Sequence, residues 1–268
     1  STPTSQRRLL MVRIPFRIAD MDELGINPQK LADAGVDILN LSCFYWTEQQ
    51  NDLRLIRELV PDLDLYLELT QQVGSYTMNG NVYKRYATDE QLYTAAHLAY
   101  SRGAQGVTAF NFAYYCLAGY EPPYHVFNII RDTNLVAQQP QHYYLWRSDA
   151  NGKKFAGVDF INETWAIDMA PPINGWTQDG RLRIQTAQSD AFTFHNQTWR
   201  IQINGHQLTS TPDVSEPYPT EYVEGLAPPE NIRAWNVPAD ILVDGINSIT
   251  IDKDTPYGHM VFLDIAIQ

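Results

Sequence analysis

Apolar residues along the first 140 positions form short runs that alternate with segments of helical spacing. Four apolar runs are typical of buried strands: residues 9–15, 36–42, 63–70 and 106–112. Apolar residues at helical spacing predict four helices: residues 28–34, 50–60, 89–102 and 126–132. Because each helical segment returns the chain to the same end of a sheet, the pattern predicts parallel strands with helical crossovers.

Two of the predicted helices carry local start signals. Asn27 precedes Pro28, whose missing N–H is tolerated in a first helical turn, and Gly35 marks the end of that helix. Thr88 and Gln91 have the spacing of a capping box. These signals place the starts of two crossover helices.

Two architectures fit this pattern, an open doubly wound sheet or part of a (β/α)8 barrel. Apolar runs fit strands that are covered on both faces. No GxGxxG motif follows a predicted strand, and no GxxxxGKS/T motif is present. The nucleotide-binding versions of these folds are therefore disfavoured.

From residue 141 onward the runs become shorter and alternate apolar with polar positions. They lie at residues 182–186, 192–195, 199–203, 241–243, 248–251 and 261–267. Asn204-Gly205 and Asp244-Gly245 are turn signals between them. The pattern predicts an antiparallel β-sandwich over residues 141–268, after an α/β domain over residues 1–140 that ends at Pro140. The overall fold class is therefore α/β plus all-β.

The charge of the chain excludes several classes of partner. The 268 residues carry a net charge of -12, whereas nucleic acids and anionic membranes attract clustered Lys and Arg. We therefore expect no nucleic acid and no membrane partner. A neutral ligand is compatible with this charge, and the 16 Tyr and 6 Trp could supply rings that stack on sugars.

The residues that usually hold metals or cofactors are sparse. The two cysteines, Cys43 and Cys116, form no CxxC motif, and no histidine pair has HExxH spacing. Two unpaired, buried thiols are expected, with a disulfide between them as the alternative. We expect no metal site and no cofactor.

Polar and aromatic side chains follow the predicted strands, at the ends where ligands meet parallel sheets. Amides and a guanidinium can bond hydroxyl groups, and aromatic faces stack on the C–H faces of sugar rings. The candidate carbohydrate-binding residues are Arg13, Asn40, Tyr45, Trp46, Asn111, Tyr114 and Tyr115.

Glu68 is the one carboxylate in this set. It ends the apolar run LYLE at residues 65–68 and precedes Thr70, Gln71 and Gln72. Burying an unpaired carboxylate is costly. Glu68 therefore either pairs with Arg13 inside the sheet or faces an open site as a reactive group.

Two segments resemble a known group of proteins. KRYATDEQLYTAAHLAYSRGAQGVTAFNFAYY, at residues 84–115, resembles the last helix–strand pair of glycoside-hydrolase-like TIM barrels from a bacterial group. VPADILVDGINSITI, at residues 237–251, resembles the end of galactose-binding-like jelly rolls that often follow such barrels. The resemblance implies the C-terminal half of a (β/α)8 barrel, with about four βα units, over residues 1–140 and a jelly-roll-like sandwich over residues 141–268.

The resemblance also implies a role for Glu68. If residues 106–112 are the eighth barrel strand, Glu68 ends the seventh, where retaining enzymes of this barrel clan hold their nucleophile. A complete barrel takes about 250 residues, so the first four strands and the general acid that they carry are missing. We expect this chain to be the C-terminal part of a longer protein, or to be completed by a second copy. Glu48 and Glu121 are the nearby glutamates that could stand about 5–5.5 Å away, as retention requires.

Two main functions remain open at this stage, and a third alternative is that the sandwich alone carries the function, as a glycan or calcium site. In the first, the chain is a glycoside hydrolase or a fragment of one that acts on a neutral glycan, with Glu68 as nucleophile or transition-state stabiliser. In the second, it is a non-catalytic carbohydrate-binding or structural protein in which Glu68 forms an ion pair with Arg13. A second carboxylate beside Glu68 in an open pocket favours the enzyme, whereas a Glu68–Arg13 pair in a filled interior favours the second function. An extracytoplasmic or secreted location is assumed.

Overall fold

The computed structural model describes residues 8–43, 45–78, 81–146, 163–186, 198–218, 231–253 and 260–268. A parallel sheet contains four strands in the order β1-β2-β3-β6. These strands are β1 (Met11–Pro15), β2 (Ile38–Ser42), β3 (Asp64–Leu69) and β6 (Gly106–Ala109). The predicted parallel pairing is confirmed, and each strand is shorter than its apolar run.

The crossovers contain the predicted helices and one that was not predicted. Their bounds are α1 (Ile18–Glu23), α2 (Pro28–Asp33), α3 (Leu53–Leu59) and α4 (Asp89–Ser101). Asn27 caps α2, because its side chain accepts a hydrogen bond from the Lys30 N–H at 3.0 Å. Gly35 follows that helix with a φ of 89°, the left-handed conformation that favours glycine. The α2 cap is therefore confirmed. Helix α1 has no side-chain cap, so no start signal in the sequence marks it.

Short helices replace the single helix predicted at residues 126–132. After β6 the chain forms 3-10 helices at Phe112–Ala118 and Tyr124–Val126, followed by α5 (Phe127–Ile130) and α6 (Thr133–Val136). Asp132 separates α5 from α6, because its side chain caps the N–H groups of Asn134 and Leu135. The predicted helix was thus half as long as expected.

A hairpin that was not predicted lies between β3 and α4. It consists of β4 (Gln72–Met78) and β5 (Asn81–Tyr86), which pair in antiparallel fashion. The hairpin begins where the carboxyl end of β3 stops. Gln72, which the sequence assigned to that strand end, is therefore the first residue of β4.

The start of α4 depends on the predicted capping box. The Thr88 side chain accepts from the Gln91 N–H, and the Gln91 side chain accepts from the Thr88 N–H at 3.0 Å. We expect Thr88→Ala to lower the free energy of unfolding by about 1 kcal/mol, because the Gln91 N–H in the first turn of α4 loses its acceptor. Urea titration followed by circular dichroism measures this. Thr133→Ala, at an exposed position that starts α6, is the control, and equal losses in both variants would contradict a specific role for the box.

Two antiparallel sheets follow the parallel one. One contains four strands in the order β11-β10-β14-β8, and the other contains five in the order β12-β13-β9-β15-β7. The bounds are β7 (Gln141–Trp146), β8 (Glu163–Met169), β9 (Gly180–Thr186), β10 (Trp199–Ile203), β11 (His206–Gln207), β12 (Thr209–Thr211), β13 (Ile232–Val237), β14 (Gly245–Lys253) and β15 (Met260–Ile267). Side chains of both sheets form one apolar core, which includes Ile201, Ile249, Leu182 and Ile265.

Most of the runs predicted in this half are strands. Residues 182–186, 199–203, 248–251 and 261–267 lie in β9, β10, β14 and β15. Residues 241–243 were predicted wrongly, because they leave a 3-10 helix at Ala239–Ile241 and continue as a loop. Residues 192–195 lie outside the described residues. Asn204 and Gly205, with φ values of 52° and 81°, form the predicted turn between β10 and β11.

Strand β7 belongs to two cores. Tyr143 and Leu145 point into the core between the antiparallel sheets. Tyr144 and Trp146 alternate with them and belong to the core of the parallel sheet and its helices. Helix α4 packs against β7. The five-stranded sheet is therefore a shared wall between the two parts of the chain.

A buried charge network reinforces this wall. Asp264 on β15 accepts hydrogen bonds from the Arg183 guanidinium, at 3.0 Å from Nε, and lies 3.0 Å from His142 Nε2. Arg183 also donates to Glu216 at 2.9 Å, and Arg85 from the hairpin lies 3.2 Å from Glu216. The side chains of Asp264, Arg183 and His142 are at most 5% exposed. The network therefore joins the hairpin, the five-stranded sheet and the loop after β12.

None of the helices within the described part of the chain combines the length and the apolar character that a membrane span requires.

Candidate functional site

The two faces of the parallel sheet differ in polarity. Leu39, Leu41, Leu65 and Leu67 are almost completely buried and belong to the core shared with the helices. Because side chains alternate along strands, the residues between them lie on the opposite face. Strand register brings four of these together in two adjacent pairs: Arg13 beside Asn40, and Glu68 beside Thr108. A row of polar side chains therefore crosses the sheet.

Glu68 accepts hydrogen bonds on both carboxylate oxygens. Arg13 binds it in a bidentate manner, with Nε 2.8 Å from Oε2 and Nη2 2.7 Å from Oε1. The Ser42 hydroxyl donates to Oε1 at 2.6 Å, and the Asn40 amide donates to Oε2 at 3.1 Å. The Glu68 side chain is 3% exposed. These four donors satisfy a carboxylate that would otherwise be costly to bury.

The network extends to the fourth strand through Asn40. The Thr108 hydroxyl donates to Asn40 Oδ1 at 2.7 Å, so the amide nitrogen of Asn40 faces Glu68. Arg13, Asn40, Glu68 and Thr108 belong to β1, β2, β3 and β6 respectively. One set of side-chain hydrogen bonds therefore connects all four parallel strands near their carboxyl ends.

Arg13 is the accessible end of the network. Its side chain is 40% exposed. Its guanidinium carbon lies 4.4 Å from the ring centroid of Phe110, within the range of cation–π attraction. The Phe110 ring in turn lies 6.4 Å from the ring of Tyr45, which is 50% exposed. We call Arg13, Tyr45 and Phe110 the carboxyl-edge surface.

Phe110 was not among the candidate residues, although a signal for it exists. It follows β6 directly, and its N–H donates to the Leu69 carbonyl at 2.8 Å, which continues the parallel pairing. Thr108 and Phe110 are two positions apart, so the period of a strand places both on the polar face. The alternation along residues 106–110 would therefore have identified Phe110.

Two aromatic candidates, Trp46 and Tyr115, lie in the core, although the Trp46 ring also contacts the Tyr45 ring edge-on with 6.5 Å between centroids. Trp46 is 9% exposed and its ring lies 5.1 Å from that of Trp146. Tyr115 is completely buried, and its hydroxyl donates to the Ala87 carbonyl at 2.9 Å. In the described structure these two rings pack the protein interior and present no face to solvent.

The remaining candidates follow β6. Tyr114 is 43% exposed on the 3-10 helix that begins at Phe112. Asn111 precedes this helix with a φ of 58°, a left-handed conformation that asparagine tolerates better than most residues. Its side-chain Nδ2 is buried without a partner among the described residues. The structure thus brings Arg13, Asn40 and Glu68 together, and places Asn111 and Tyr114 at the end of the neighbouring strand.

The polar residues after Glu68 hold the loop that carries Tyr45. The Thr70 hydroxyl donates to the Tyr45 carbonyl at 2.6 Å, and the Thr47 hydroxyl donates to the Thr70 carbonyl at 2.8 Å. Gln71 is completely buried, and neither atom of its amide has a partner among the described residues. Thr70 and Thr47 therefore fix the position of Tyr45, and Gln71 carries unsatisfied polar atoms at the strand end.

The other two glutamates considered as acids have separate surroundings. Glu48 is 9% exposed, and one of its oxygens accepts from the Gln50 N–H at 3.4 Å. Glu121 is exposed on the loop before the 3-10 helix at Tyr124–Val126. Within the described part of the chain, no cluster of three or more His, Cys, Asp or Glu residues could hold a metal ion. Cys43 and Cys116 are both free, the first buried and the second exposed.

Comparisons with known proteins gave few matches. No protein-family profile matches the chain, and no curated protein matches it. Among solved structures, BpGH86A, a β-porphyranase of glycoside hydrolase family 86 from the human gut bacterium Bacteroides plebeius, is 13% identical with a TM-score of 0.27, over 48% of this chain and 20% of that one. Wild-type BuGH86 in complex with neoagarooctaose is 11% identical with a TM-score of 0.24, over 47% of this chain and 19% of that one. A substituted form of BuGH86 with the same ligand has a TM-score of 0.27 at 11% identity. The chain spans about a fifth of the length of these enzymes.

Proposed function

We propose that this chain binds a neutral carbohydrate at the carboxyl-edge surface, and that Glu68 serves there as the structural partner of Arg13. The observation that carries the proposal is the state of the Glu68 carboxylate. Both of its oxygens accept hydrogen bonds from Arg13, Asn40 and Ser42, and its side chain is 3% exposed. A nucleophilic carboxylate needs an oxygen directed at the substrate, whereas these oxygens are directed at protein donors.

The carboxyl-edge surface has the chemistry that a sugar requires. Tyr45 and Phe110 supply aromatic rings on which the C–H face of a sugar can lie. Arg13 supplies a guanidinium, held in one orientation by Glu68, that can donate to a hydroxyl group. The net charge of -12 disfavours an anionic ligand. A neutral glycan therefore fits the surface better than a phosphate or a nucleic acid.

Buried amides without described partners also lie at this edge of the sheet. Gln71 and Asn111 follow the carboxyl ends of the adjacent strands β3 and β6, and both have buried amide atoms without partners among the described residues. Each such atom costs about 1–3 kcal/mol if it is left without any hydrogen bond. Bridging waters at the strand ends would satisfy them.

A second proposal is glycoside hydrolysis by a completed barrel. The observation that favours it is the order β1-β2-β3-β6, in which each parallel strand lies beside its predecessor, as in a barrel wall. In this proposal residues 1–140 are the C-terminal half of a (β/α)8 barrel, and residues 141–268 are a galactose-binding-like jelly roll. Upstream sequence or a second copy would provide the other half, together with the general acid.

The reaction in this second proposal is retaining hydrolysis. Glu68 would leave Arg13 and attack the anomeric carbon, while the glycosidic C–O bond breaks and the general acid protonates the leaving oxygen. Water would then release the sugar from Glu68. The bidentate pair with Arg13 must open for this step, which is why the binding proposal comes first.

Binding to the carboxyl-edge surface can be tested with Tyr45→Ala. We expect this change to weaken the affinity for a neutral oligosaccharide at least tenfold, because the exposed ring that contacts the sugar is lost. Isothermal titration with hexasaccharides of β-glucan, mannan, xylan and galactan type measures the affinity.

Tyr124→Ala is the matched control for this experiment. Tyr124 is 52% exposed, but it lies on the 3-10 helix that packs against α4. Its replacement should leave the affinity unchanged. Equal binding by the Tyr45→Ala variant and the wild type, or no binding of any of the four hexasaccharides by the wild type, would refute the proposal.

A further inference from the structure

A cleft lies at one end of the five-stranded sheet, beside the start of β7 and the end of β15. It is formed by the segment between α6 and β7, the loop between β8 and β9, and the end of β15, and its volume is about 340 Å³. This size falls within the usual range for small-molecule sites. The lining residues that matter for binding are polar but uncharged or aromatic: Gln138, Gln139, Gln141, Asn174, Trp176 and Thr177. Among the described residues, no charged side chain lines the cleft.

The aromatic wall of the cleft is held rigidly. The indole N–H of Trp176 donates to Gln141 Oε1 at 2.7 Å. Gln141 is 3% exposed, and its own amide nitrogen donates to the Ala170 carbonyl at 2.9 Å. The Tyr143 hydroxyl lies 3.0 Å from the same Gln141 oxygen. The Trp176 ring is therefore fixed by its polar edge, and the rest of the indole can act as a platform at low entropic cost.

Two glutamines present their acceptor atoms in fixed positions. The Gln138 amide nitrogen donates to the Asn134 carbonyl at 2.8 Å, and the Gln139 nitrogen donates to the Leu135 carbonyl at 3.0 Å. Their Oε1 atoms have no partner among the residues that the structure describes. Because the nitrogens are tied to α6, the oxygens remain available to accept from a ligand.

The loop between β8 and β9 is also ordered by backbone hydrogen bonds, one within the loop and one to the segment after α6. The Gly175 N–H donates to the Pro172 carbonyl at 2.9 Å, and the Ile173 N–H donates to the Ala137 carbonyl at 3.0 Å. The exposed side chains of Asn174 and Thr177 lie on this loop. They add donors and acceptors opposite the glutamine oxygens.

We propose that this cleft binds one unit of a neutral saccharide. Sugar hydroxyls supply the donors that the glutamine oxygens accept, and the C–H face of the ring can pack on Trp176. A cation would find no carboxylate side chain among the lining residues, and an anion would meet carbonyl oxygens on a chain of net charge -12. A purely apolar ligand would leave the amides without hydrogen bonds. The site is separate from the carboxyl-edge surface, and its argument does not depend on that surface.

The test uses Trp176→Ala, with the same four neutral hexasaccharides as probes in isothermal titration. We expect the affinity of the cleft to fall at least tenfold. Trp176→Phe keeps a ring but loses the bond to Gln141, so it should lose less affinity than Trp176→Ala. The Tyr45→Ala variant distinguishes the two sites, because binding that survives in it and disappears on Trp176→Ala belongs to the cleft.

The possible outcomes separate this inference from the proposed function. Loss of binding in Tyr45→Ala with none in Trp176→Ala would overturn the cleft and leave the carboxyl-edge surface standing. Loss only in Trp176→Ala would support the cleft and reject the other site. If Trp176→Ala proves unstable, the double variant Asn174→Ala, Thr177→Ala decides, since both side chains are exposed. An affinity within twofold of the wild type in that variant would overturn the inference.

Discussion

Asp264→Asn is expected to lower the free energy of unfolding by about 3–5 kcal/mol, the usual cost of removing one partner from a buried ion pair. The change leaves Arg183 in a buried position without its bidentate partner, and it removes the acceptor that faces His142. A domain of this size has a total stability of about 5–15 kcal/mol. The loss is therefore a large share of the total stability, which urea titration followed by tryptophan fluorescence measures.

Asp252→Asn is the matched control for this prediction. Asp252 forms a pair with Arg200 at 2.7 Å, but the two side chains are 40% and 46% exposed. Exposed pairs contribute about 0–1 kcal/mol. If the two variants lose equal stability, the buried network does not stabilise the five-stranded sheet more than an exposed ion pair stabilises the protein.

The same network determines how the protein responds to acid. Burial alone would raise the pKa of Asp264, but Arg183 and His142 outweigh it and hold that pKa below its ordinary range. At Glu216, burial would likewise raise the pKa, but the charges of Arg85 and Arg183 lower it overall. The two carboxylates stabilise the folded state fully at pH values above their unfolded pKa values of about 4. This contribution to the free energy of unfolding is lost as the pH falls toward their lower folded pKa values. The stability of Asp264→Asn should therefore decline less steeply than that of the wild type below about pH 4.

Glu68→Gln is expected to lower the free energy of unfolding by about 1–3 kcal/mol. Glutamine keeps one acceptor oxygen, but its amide nitrogen faces donors from Arg13, Ser42 or Asn40. The loss is smaller than at Asp264, because Arg13 is 40% exposed and water can solvate it. Binding to the carboxyl-edge surface should weaken severalfold, since Arg13 loses the partner that orients it. Thermal unfolding and hexasaccharide titration measure the two effects.

The same variant separates the two proposed functions. Glu58→Gln, at an exposed position on α3, is the control and should change neither property. If the wild type releases reducing ends from a glycan and Glu68→Gln abolishes that release, hydrolysis replaces binding as the function. Unchanged hydrolysis together with unchanged thermal stability would leave Glu68 with neither role.

The sequence predicted those elements that depend on local signals. The strands of the parallel sheet are apolar runs between helices, and α2 and α4 carry their own caps. The hairpin of β4 and β5 was missed although residues 79 and 80 are Asn-Gly, the dipeptide that favours two-residue hairpin turns. Strand β7 was missed because it begins with the polar residues Gln141 and His142, so neither a long apolar run nor an alternation marks it, although all six of its residues are buried.

The candidate site was predicted in part, for a related reason. The period of the strands was sufficient to place Arg13 and Glu68 on one sheet, and their pairing was one of two alternatives that the sequence left open. The direction of an aromatic ring after a strand depends on what packs beside it. Trp46 turned toward Trp146 and Tyr115 toward Ala87, contacts between residues far apart in the sequence. No local pattern contains that information.

The double membership of β7 has a consequence for how the molecule comes apart. Alternate side chains of one six-residue strand complete two separate interiors. If β7 left its position, both cores would lose buried side chains at the same time. Neither core is therefore expected to unfold while the other stays folded. Heating should therefore produce a single cooperative melting step.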